Sequence, residues 1–524
     1  MIVSVGLDIG TTSCAISLYD LQPVPVRHAE GSLMPSVVWF PDRMSGAQGG
    51  RVHTGSTARQ AWEQGELYCF RSDKLHLQSE SPESHNVGWR FYPPWTSAEG
   101  CLSELIFQCL RTLLQHLRPQ LAGQPRLQLN VVLTRPVCWS GLQLQRLQHA
   151  WNDALAMLML LPGPVLSVSI RFLEEPVAAV LHWFTRHNRA WLDGRRLLVC
   201  DAGGGTLDLS LVSAASGKRA VVHGQQRIVR EGRVGIGGAC GDFVDGLIAA
   251  SLLQQSRRVE IDADDLLTLA NDGSDGGIFS QGVRQQLQAR NLLLDPVQAR
   301  SLLTNARRLK ESWLDEDPRC NAVGISLQPF LREIQQQTTA FLNKLPQPEA
   351  VVFAGGMGRF QPLRQAILHA IQKRTGHLPQ ALDFDEPELA ISMGAAVLAK
   401  GELTVEYRWN ISGVRLRVQG AGLQPIEWEL RQPVYEGRDL RPLLDLSLNS
   451  QSGPLRIQME IETNTDAVTV KRVVQYEFQP QRQEIFDLWL HPEPDDSQSA
   501  WLLLPYLVSS EKSVVQWLVP MAIR

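Results

Sequence analysis

The spacing of apolar residues divides the chain into two parts. As far as about residue 400, short apolar runs typical of buried strands alternate with segments whose apolar residues recur at helical spacing, as in Glu99–Leu117. From Gly401 onward, short alternating strands such as Val414–Val418 and Leu455–Ile461 are separated by turns rich in glycine, proline and asparagine. This pattern predicts an α/β domain at 1–400 and an all-β sandwich at 401–524.

The segment Leu197–Val212 combines a buried strand with a glycine-rich turn. The turn and the residues that flank it are Asp201, Gly203, Gly204, Gly205, Thr206 and Asp208. Glycines allow backbone N–H groups to approach phosphate oxygens, and carboxylates beside the turn can hold a hydrated Mg²⁺. Taken alone, the same pattern also fits a structural hairpin with a glycine-rich turn.

Two further glycine turns follow buried strands. In Val3–Leu18 the residues of the turn are Asp8, Gly10, Thr11 and Thr12. In Ala350–Arg359 the strand runs into Gly355 and Gly356, in a turn that suits a base or a ribose. Repeated strand–Asp–Gly–Thr–strand units predict two related halves that close on one nucleotide.

These motifs resemble those of the DnaK-type chaperones, the heat shock protein 70 family within the actin-like ATPase superfamily. The resemblance extends from Met1 to about Gly401, and the matching segments are Asp8–Thr12, Asp201–Asp208, Phe172–Ala179, Gly355–Arg359 and Glu388–Ala396, with Lys74 in the place of the family's catalytic lysine. It implies an actin-like (ribonuclease H-like) α/β fold with one lobe at about 1–190 and a second at about 191–400. It also implies ATP, ADP and Mg²⁺ as ligands, and an ATPase that slowly converts ATP and water to ADP and phosphate.

The resemblance implies a role for each matching residue. Asp8 and Asp201 would hold Mg²⁺ through its water shell, which Glu175 would support. Asp208 would orient water or metal, and Lys74 would place a positive charge beside the γ-phosphate. The phosphate-binding residues would be Gly10, Thr11, Thr12, Gly203, Gly204, Gly205 and Thr206, and the adenosine-binding residues would be Gly355, Gly356, Arg359 and Glu388, with Lys310 or Arg307 of the helix Pro296–Leu314 against the adenine. For Lys310 and Arg307, a solvated basic helix face remains an open alternative.

The sequence departs from the family pattern at several points. Gly401–Tyr407 replaces the leucine linker that couples the family's two domains, and the β-domain is expected to lack a helical lid. Met357 stands where the family has a serine, and Glu388 where it has an aspartate. The contacts to the base could therefore differ from those of the family.

The resemblance also implies partners. A polypeptide client would bind the β-domain, a nucleotide exchange factor would act on the nucleotide domain, and a J-domain co-chaperone would dock at Arg171. An arginine in a surface strand is an equal alternative for Arg171. Two other functions remain open for the chain: a nucleotide-gated adaptor with one dedicated protein partner, and a small-molecule kinase on the same fold.

Composition limits the choice of partner and compartment. The net charge of −4 provides no basic surface for nucleic acid or for an anionic membrane. The eight cysteines are scattered without a CxxC pair, which is typical of reduced thiols in a cytoplasm. No apolar run approaches the length of a membrane span. A cytoplasmic protein without nucleic-acid or membrane partners is therefore expected.

Overall fold

A computed structural model describes most of the chain. The described residues are 1–28, 31–41, 52–71, 74, 77, 96–137, 139, 141–187, 194–228, 230–232, 235–237, 240–257, 261–270, 284–285, 288–289, 294–312, 327–343, 345–407, 411–430, 440–464, 469–480, 484–495, 500–509 and 515–518. All structural statements below refer to these residues.

The elements mix helices with strands up to Lys400 and are almost entirely strands after it. The strands are β1 Ile2–Ile9, β2 Ser13–Tyr19, β3 Pro23–Pro25, β4 Leu33–Pro35, β5 Val37–Trp39, β6 His53–Thr54, β7 Cys69–Arg71, β8 Arg126–Arg135, β9 Val165–Glu174, β10 Arg196–Ala202, β11 Leu207–Ala215, β12 Arg219–Ile228, β13 Arg230–Gly232, β14 Gly235–Gly237, β15 Ala350–Ala354, β16 Gln380–Asp383, β17 Thr404–Tyr407, β18 Ile411–Gly420, β19 Leu423–Leu430, β20 Leu440–Leu448, β21 Leu455–Asn464, β22 Thr469–Phe478, β23 Glu484–Asp495, β24 Ala500–Ser509 and β25 Val515–Trp517. The helices are α1 Gly55–Gln64, α2 Ala98–Leu121, α3 Gly141–Met159, α4 Glu175–Arg186, α5 Gly241–Arg257, α6 Ala263–Ala270, α7 Pro296–Ser312, α8 Gln328–Leu342, α9 Gln361–Thr375 and α10 Ala390–Lys400, with short 3₁₀ turns at Gly356–Arg359 and Ser450–Ser452.

Two large mixed sheets share one strand order. In the first sheet the order is β3-β2-β1-β8-β9, with β4 on β2; β1 is antiparallel to β2 and parallel to β8. In the second sheet, written in the same direction, the order is β17-β12-β11-β10-β15-β16; β10 is antiparallel to β11 and parallel to β15. β12, β11, β10, β15 and β16 correspond in turn to β3, β2, β1, β8 and β9. The hairpins β1–β2 and β10–β11, which carry the first two glycine turns, therefore occupy equivalent places in the two sheets.

Two helices cross at close range where the sheets meet. A Cβ atom on Gly394 of α10 would lie 1.6 Å from the carbonyl oxygen of Ala178 in α4, so only glycine fits at this crossing. Gly6 of β1 has the same constraint, because a Cβ there would lie 2.0 Å from the carbonyl oxygen of Ser392. The hydroxyls of Ser17 and Ser392 share a buried hydrogen bond of 2.9 Å. α10 is thereby fixed against both β1–β2 and α4.

After α10 the chain adds one more strand to the second sheet. Gly401 adopts a left-handed conformation (φ 81°) that ends the helix. β17 then pairs in parallel with the first half of β12. Ion pairs from Lys218 to Glu402 (3.1 Å) and from Arg219 to Glu406 (3.0 Å) flank the new strand. The segment that replaces the family's linker is thus part of the second sheet in this structure.

The strands that follow β17 form two four-stranded antiparallel sheets, ordered β19-β18-β21-β22 and β20-β23-β24-β25. Alternate residues of β18 and β21, such as Leu416 and Ile457, are buried in one apolar cluster that also contains residues of α4 and α10. The intervening residues are exposed, and several form cross-strand ion pairs, including Arg417 with Glu427 (2.8 Å). This alternation is what a sheet with one buried face requires.

The mixed α/β class that the sequence predicted is confirmed. The helix predicted at Glu99–Leu117 is observed at Ala98–Leu121. None of the described helices is long and apolar enough to cross a membrane.

Candidate functional site

A cavity of about 570 Å³ lies where the three glycine turns meet. The predicted site residues that line it are Asp8, Gly10, Thr11, Thr12, Lys74, Glu175, Asp201, Gly203, Gly204, Thr206, Lys310, Gly355, Gly356 and Glu388. Gly205, Asp208 and Arg359 are not among its lining residues. The structure thus brings together residues that are up to 380 positions apart in the sequence.

The first two turns close with the same backbone hydrogen bond. The amide of Gly10 donates to the carbonyl of Ser13, and the amide of Gly203 donates to that of Thr206, each at 3.0 Å. The turns also touch, because a Cβ atom on Gly204 would lie 2.4 Å from the methyl carbon of Thr12. Glycine at position 204 is therefore what allows the two turns to approach each other across the cavity.

The third turn contacts the second. Gly355 has φ 74°, and a Cβ atom there would lie 2.3 Å from the carbonyl oxygen of Ala202. Glycine is required at this position both for the backbone conformation and for the contact. Met357, which replaces the family's serine, is buried beside Gly241 at the start of α5.

Three buried carboxylates gather at the second turn. Asp201 and Asp208 are cross-strand partners in β10 and β11, and one oxygen each of Asp201, Asp208 and Glu175 lie within 4.8 Å of one another. Burial, followed by the neighbouring carboxylates, raises the pKa of Asp201 well above its usual range. Asp201 Oδ1 and Asp208 Oδ2 are buried without a hydrogen-bond partner among the described atoms.

This donor set fits a hard divalent cation. Unpartnered, buried carboxylate oxygens are the ligands that Mg²⁺ prefers, either directly or through water. The sequence predicted Asp8 and Asp201 as the metal-holding pair. In the structure Asp201 clusters with Glu175 and Asp208, and Asp8 lies outside that cluster of described residues.

The Asp8 carboxylate accepts a hydrogen bond from the neighbouring strand β8. The Thr134 hydroxyl at the end of β8 donates to Asp8 Oδ1 at 2.8 Å. Burial raises the pKa of Asp8 to about 6, while Lys74 and the Thr134 hydrogen bond act in the opposite direction. Sequence reasoning did not find Thr134, since nothing in its local pattern shows that β8 lies beside β1.

Lys74 and Glu175 form a buried ion pair on the cavity wall. Burial alone would lower the pKa of Lys74, but Glu175 and Asp8 outweigh it and raise that pKa. The ammonium is therefore charged, and it neutralises part of the carboxylate cluster. Both residues were predicted to lie at the site, and both line the cavity.

At the other end of the cavity, the cations of α7 are paired with carboxylates of α5. Lys310 Nζ lies 2.6 Å from Asp245 and donates to the carbonyl oxygen of Gly241 at 2.9 Å. Arg307 contacts Asp242 (3.1 Å) and Asp245 (3.2 Å). The alternative interpretation, in which Lys310 and Arg307 lie on a solvated basic face of the helix, is therefore wrong. Lys310 is buried, and Arg307 is largely buried. Helical spacing alone did not show that α5 supplies their counter-ions.

Arg359 and Arg171 lie away from the main cavity. Arg359 is 3.5 Å from Glu388 and lines a second, smaller cavity of about 290 Å³. A guanidinium nitrogen of Arg171 donates to the carbonyl oxygen of Leu398 at 2.6 Å, near the end of α10. Arg171 thus contacts the helix that leads into β17.

Comparison with known proteins shows similarity to a curated chaperone. No protein-family model matches the chain. A curated protein named "Chaperone protein HscA homolog", from Pasteurella multocida (strain Pm70), is 26% identical over 383 residues, which cover 67% of this chain and 56% of that protein. The match supports the resemblance of this chain to the heat shock protein 70-type chaperones. The chain matches only a little over half the length of that relative.

Proposed function

We propose that this chain binds ATP with Mg²⁺ in the cavity between its two large sheets and hydrolyses it to ADP and phosphate, as part of an ATP-dependent chaperone function. The observation that carries the proposal is the convergence of three glycine turns and a buried carboxylate cluster on one cavity. Glycine turns present amides to phosphate oxygens, and the carboxylates suit the metal ion that accompanies a nucleoside triphosphate. The likeness to a protein named a chaperone supports the same function.

Each residue of the cavity has a role in this proposal. The amides of the first two turns, with Thr11, Thr12 and Thr206, bind the phosphates. Lys74 stabilises the charge that develops on the γ-phosphate, and Asp208 acts from behind the cavity wall by orienting the cluster. The adenosine lies toward the third turn, where Gly355, Gly356, Glu388 and Lys310 line the cavity. Mg²⁺ would be held by Asp201, Glu175 and Asp8, directly or through water, and when bound it would neutralise phosphate charge.

The architecture we propose is a two-lobed actin-like domain at 1–400, with lobes at about 1–190 and 191–400, followed by a β-sandwich at 401–524. The shared strand order of the two large sheets and the helix crossing between them support the two lobes. The alternation of buried and exposed residues in β18 and β21 supports the sandwich. β17 connects the two domains by extending the second sheet.

We propose a polypeptide client as the ligand of the β-sandwich, and a J-domain protein and a nucleotide exchange factor as co-chaperones. Arg171 remains the proposed J-domain contact, and it donates a hydrogen bond to the carbonyl oxygen of Leu398 near the end of α10. Substitution of Arg171 by Asp should abolish J-domain stimulation of ATP hydrolysis. Unchanged stimulation would remove this partner from the proposal.

The central experiment measures peptide binding by fluorescence anisotropy, with extended apolar peptides and the full chain in ATP and in ADP. Tighter binding in ADP would support a nucleotide-coupled chaperone. Intact ATP binding that is lost in Asp201→Asn, combined with no peptide binding in either nucleotide, would instead support the adaptor with one dedicated partner. Absence of ATP binding by the unsubstituted chain would overturn the proposed function.

A further inference from the structure

Charged groups at the back of the cavity are unevenly balanced. The carboxylates that influence one another there are Asp8, Glu175, Asp201 and Asp208, and the cations that face them are Lys74 and Arg227. With every group ionised, two negative charges remain uncompensated. One divalent cation would neutralise them.

Arg227 is the less expected of the two cations. It lies on β12 directly opposite Asp208 of β11, and its Nε donates to Asp208 Oδ1 at 3.2 Å. The Asp208 side chain is fully buried, and only 9% of the Arg227 side chain is exposed. Sequence analysis did not select Arg227, since β12 reads as an ordinary strand.

One nitrogen of the guanidinium is left without a partner in the described part of the chain. Nη2 of Arg227 is buried and has no hydrogen-bond partner among the described atoms, and neither has Asp208 Oδ2. An arginine stays protonated in every protein environment, so this charge does not leave when the nucleotide leaves. Without Arg227, Asp208 would have no hydrogen-bonding side chain among its described neighbours.

We propose that Arg227 is a positioning residue of the nucleotide site, a fixed internal cation that orients Asp208 and balances its charge so that the carboxylate cluster takes one divalent cation. The inference rests on the proposed function. Arg227 does not line the cavity, so it acts through Asp208 and not on the nucleotide itself. The planar guanidinium suits this task better than an ammonium, because it fixes direction as well as charge.

The test uses Arg227→Ala in the full chain. We expect magnesium-dependent ATP turnover to fall about 10- to 100-fold, the usual effect of removing a group that orients a metal-binding residue. Added guanidinium ion at millimolar concentration should restore part of this turnover in the variant and none in the unsubstituted protein. The concentration of Mg²⁺ needed for half-maximal binding of a fluorescent ATP analogue should also change, which provides a readout independent of turnover.

Two variants serve as controls. Gln225→Ala removes the neighbouring buried side chain on the same strand, whose amide donates to the Ser210 hydroxyl at 3.0 Å. It should leave both turnover and the Mg²⁺ requirement unchanged. If Arg227→Ala does not fold, the double variant Arg227→Gln with Asp208→Asn removes both charges together, and it should fold but remain slow.

The outcomes separate the inference from the proposed function. Absence of ATP binding by the unsubstituted chain would reject the proposed function. Normal turnover and an unchanged Mg²⁺ requirement in folded Arg227→Ala, or in the folded double variant, would overturn the inference alone. A loss that guanidinium does not rescue and that Gln225→Ala reproduces would also overturn it, since it would show only a structural role for β12.

Discussion

The hairpins β1–β2 and β10–β11 are built alike and differ at one decisive position. Asp8 and Asp201 precede the two turns at equivalent places, and both turns close with the same 3.0 Å backbone hydrogen bond. Opposite Asp8 in the ladder is Ala15, whereas opposite Asp201 is Asp208. The first hairpin therefore provides one carboxylate and the second provides two.

The difference determines what each hairpin needs from its surroundings. Ala15 is buried with Leu389 and Met393 in a small apolar cluster, so the first hairpin packs against α10 without a counter-ion at that position. Asp208 cannot be buried without compensation, and Arg227 of the adjacent strand provides it. The same position of the hairpin is therefore occupied by a packed apolar residue, Ala15, in the first hairpin and by a charged residue, Asp208, in the second.

The largest expected effect is a loss of stability when the first hairpin is given a carboxylate at the position that corresponds to Asp208. Ala15→Asp should lower the free energy of unfolding by about 3 kcal/mol at neutral pH, because the new charge is buried without a partner. Urea denaturation measures this loss. Ala15→Asn is the neutral control of equal size, and it should cost less. Equal losses for the two variants would show that size matters and charge does not.

The next largest effect is a difference in ATP turnover between variants of the two aspartates that precede the turns. Asp201→Asn should lower ATP turnover about 100-fold, which corresponds to about 2.7 kcal/mol, because it removes one member of the three-carboxylate cluster. Asp8→Asn should cost less turnover, since Asp8 lies outside that cluster. Asp201→Asn should also raise the melting temperature of the metal-free protein, because burial disfavours the ionised carboxylate. A larger loss of turnover in Asp8→Asn would show that Asp8, and not the three-carboxylate cluster, contributes most to the metal site.

The two turns should also differ in their tolerance of a methyl group. A Cβ atom on Gly10 would lie 2.5 Å from the carbonyl oxygen of Ser13, whereas one on Gly203 would lie 3.8 Å from that of Thr206. Gly10→Ala should therefore destabilise the fold by about 2 kcal/mol, and Gly203→Ala by well under 1 kcal/mol. Thermal unfolding of the two variants gives the comparison. Similar losses would mean that the turns are equally constrained, contrary to the structure.

The smallest effect is a dependence of stability on pH. Burial raises the pKa of Asp208 to about 6, above its usual 3.8, although Arg227 acts against this shift. The folded state therefore binds more protons than the unfolded state between these values, so the contribution of Asp208 to stability improves as pH falls through about 6. Between pH 7 and 5.5 the gain is about 1 kcal/mol for the metal-free protein.

Asp208→Asn isolates this contribution. Denaturation in EDTA at pH 7 and at pH 5.5 should show a difference between the unsubstituted protein and the variant that matches the expected gain. The same protonation should weaken Mg²⁺ binding at the lower pH, because it removes one negative charge from the carboxylate cluster. A variant with the same pH dependence as the unsubstituted chain would place the titration elsewhere.

The residues of the candidate site could be predicted from the sequence where the motif that marks them is a short continuous segment. A strand, an aspartate and a glycine turn are adjacent in the chain, so Asp8, Asp201 and their turns were found and do line one cavity. Lys74 and Glu175, which lie outside those turns, were found through resemblance to the family. Thr134 and Arg227 were not found, because each becomes relevant only through the strand that lies beside it.

The sequence by itself determined the turns and the change from an α/β to an all-β pattern near residue 400. These depend on backbone freedom and on side-chain periodicity, which act over a few residues. Only the tertiary structure decided which carboxylates meet, that Lys310 is paired with Asp245, and that Arg227 lies opposite Asp208. Those contacts depend on strand order and register between distant segments, and the free energy of burying a charge is set by whichever neighbour that register provides.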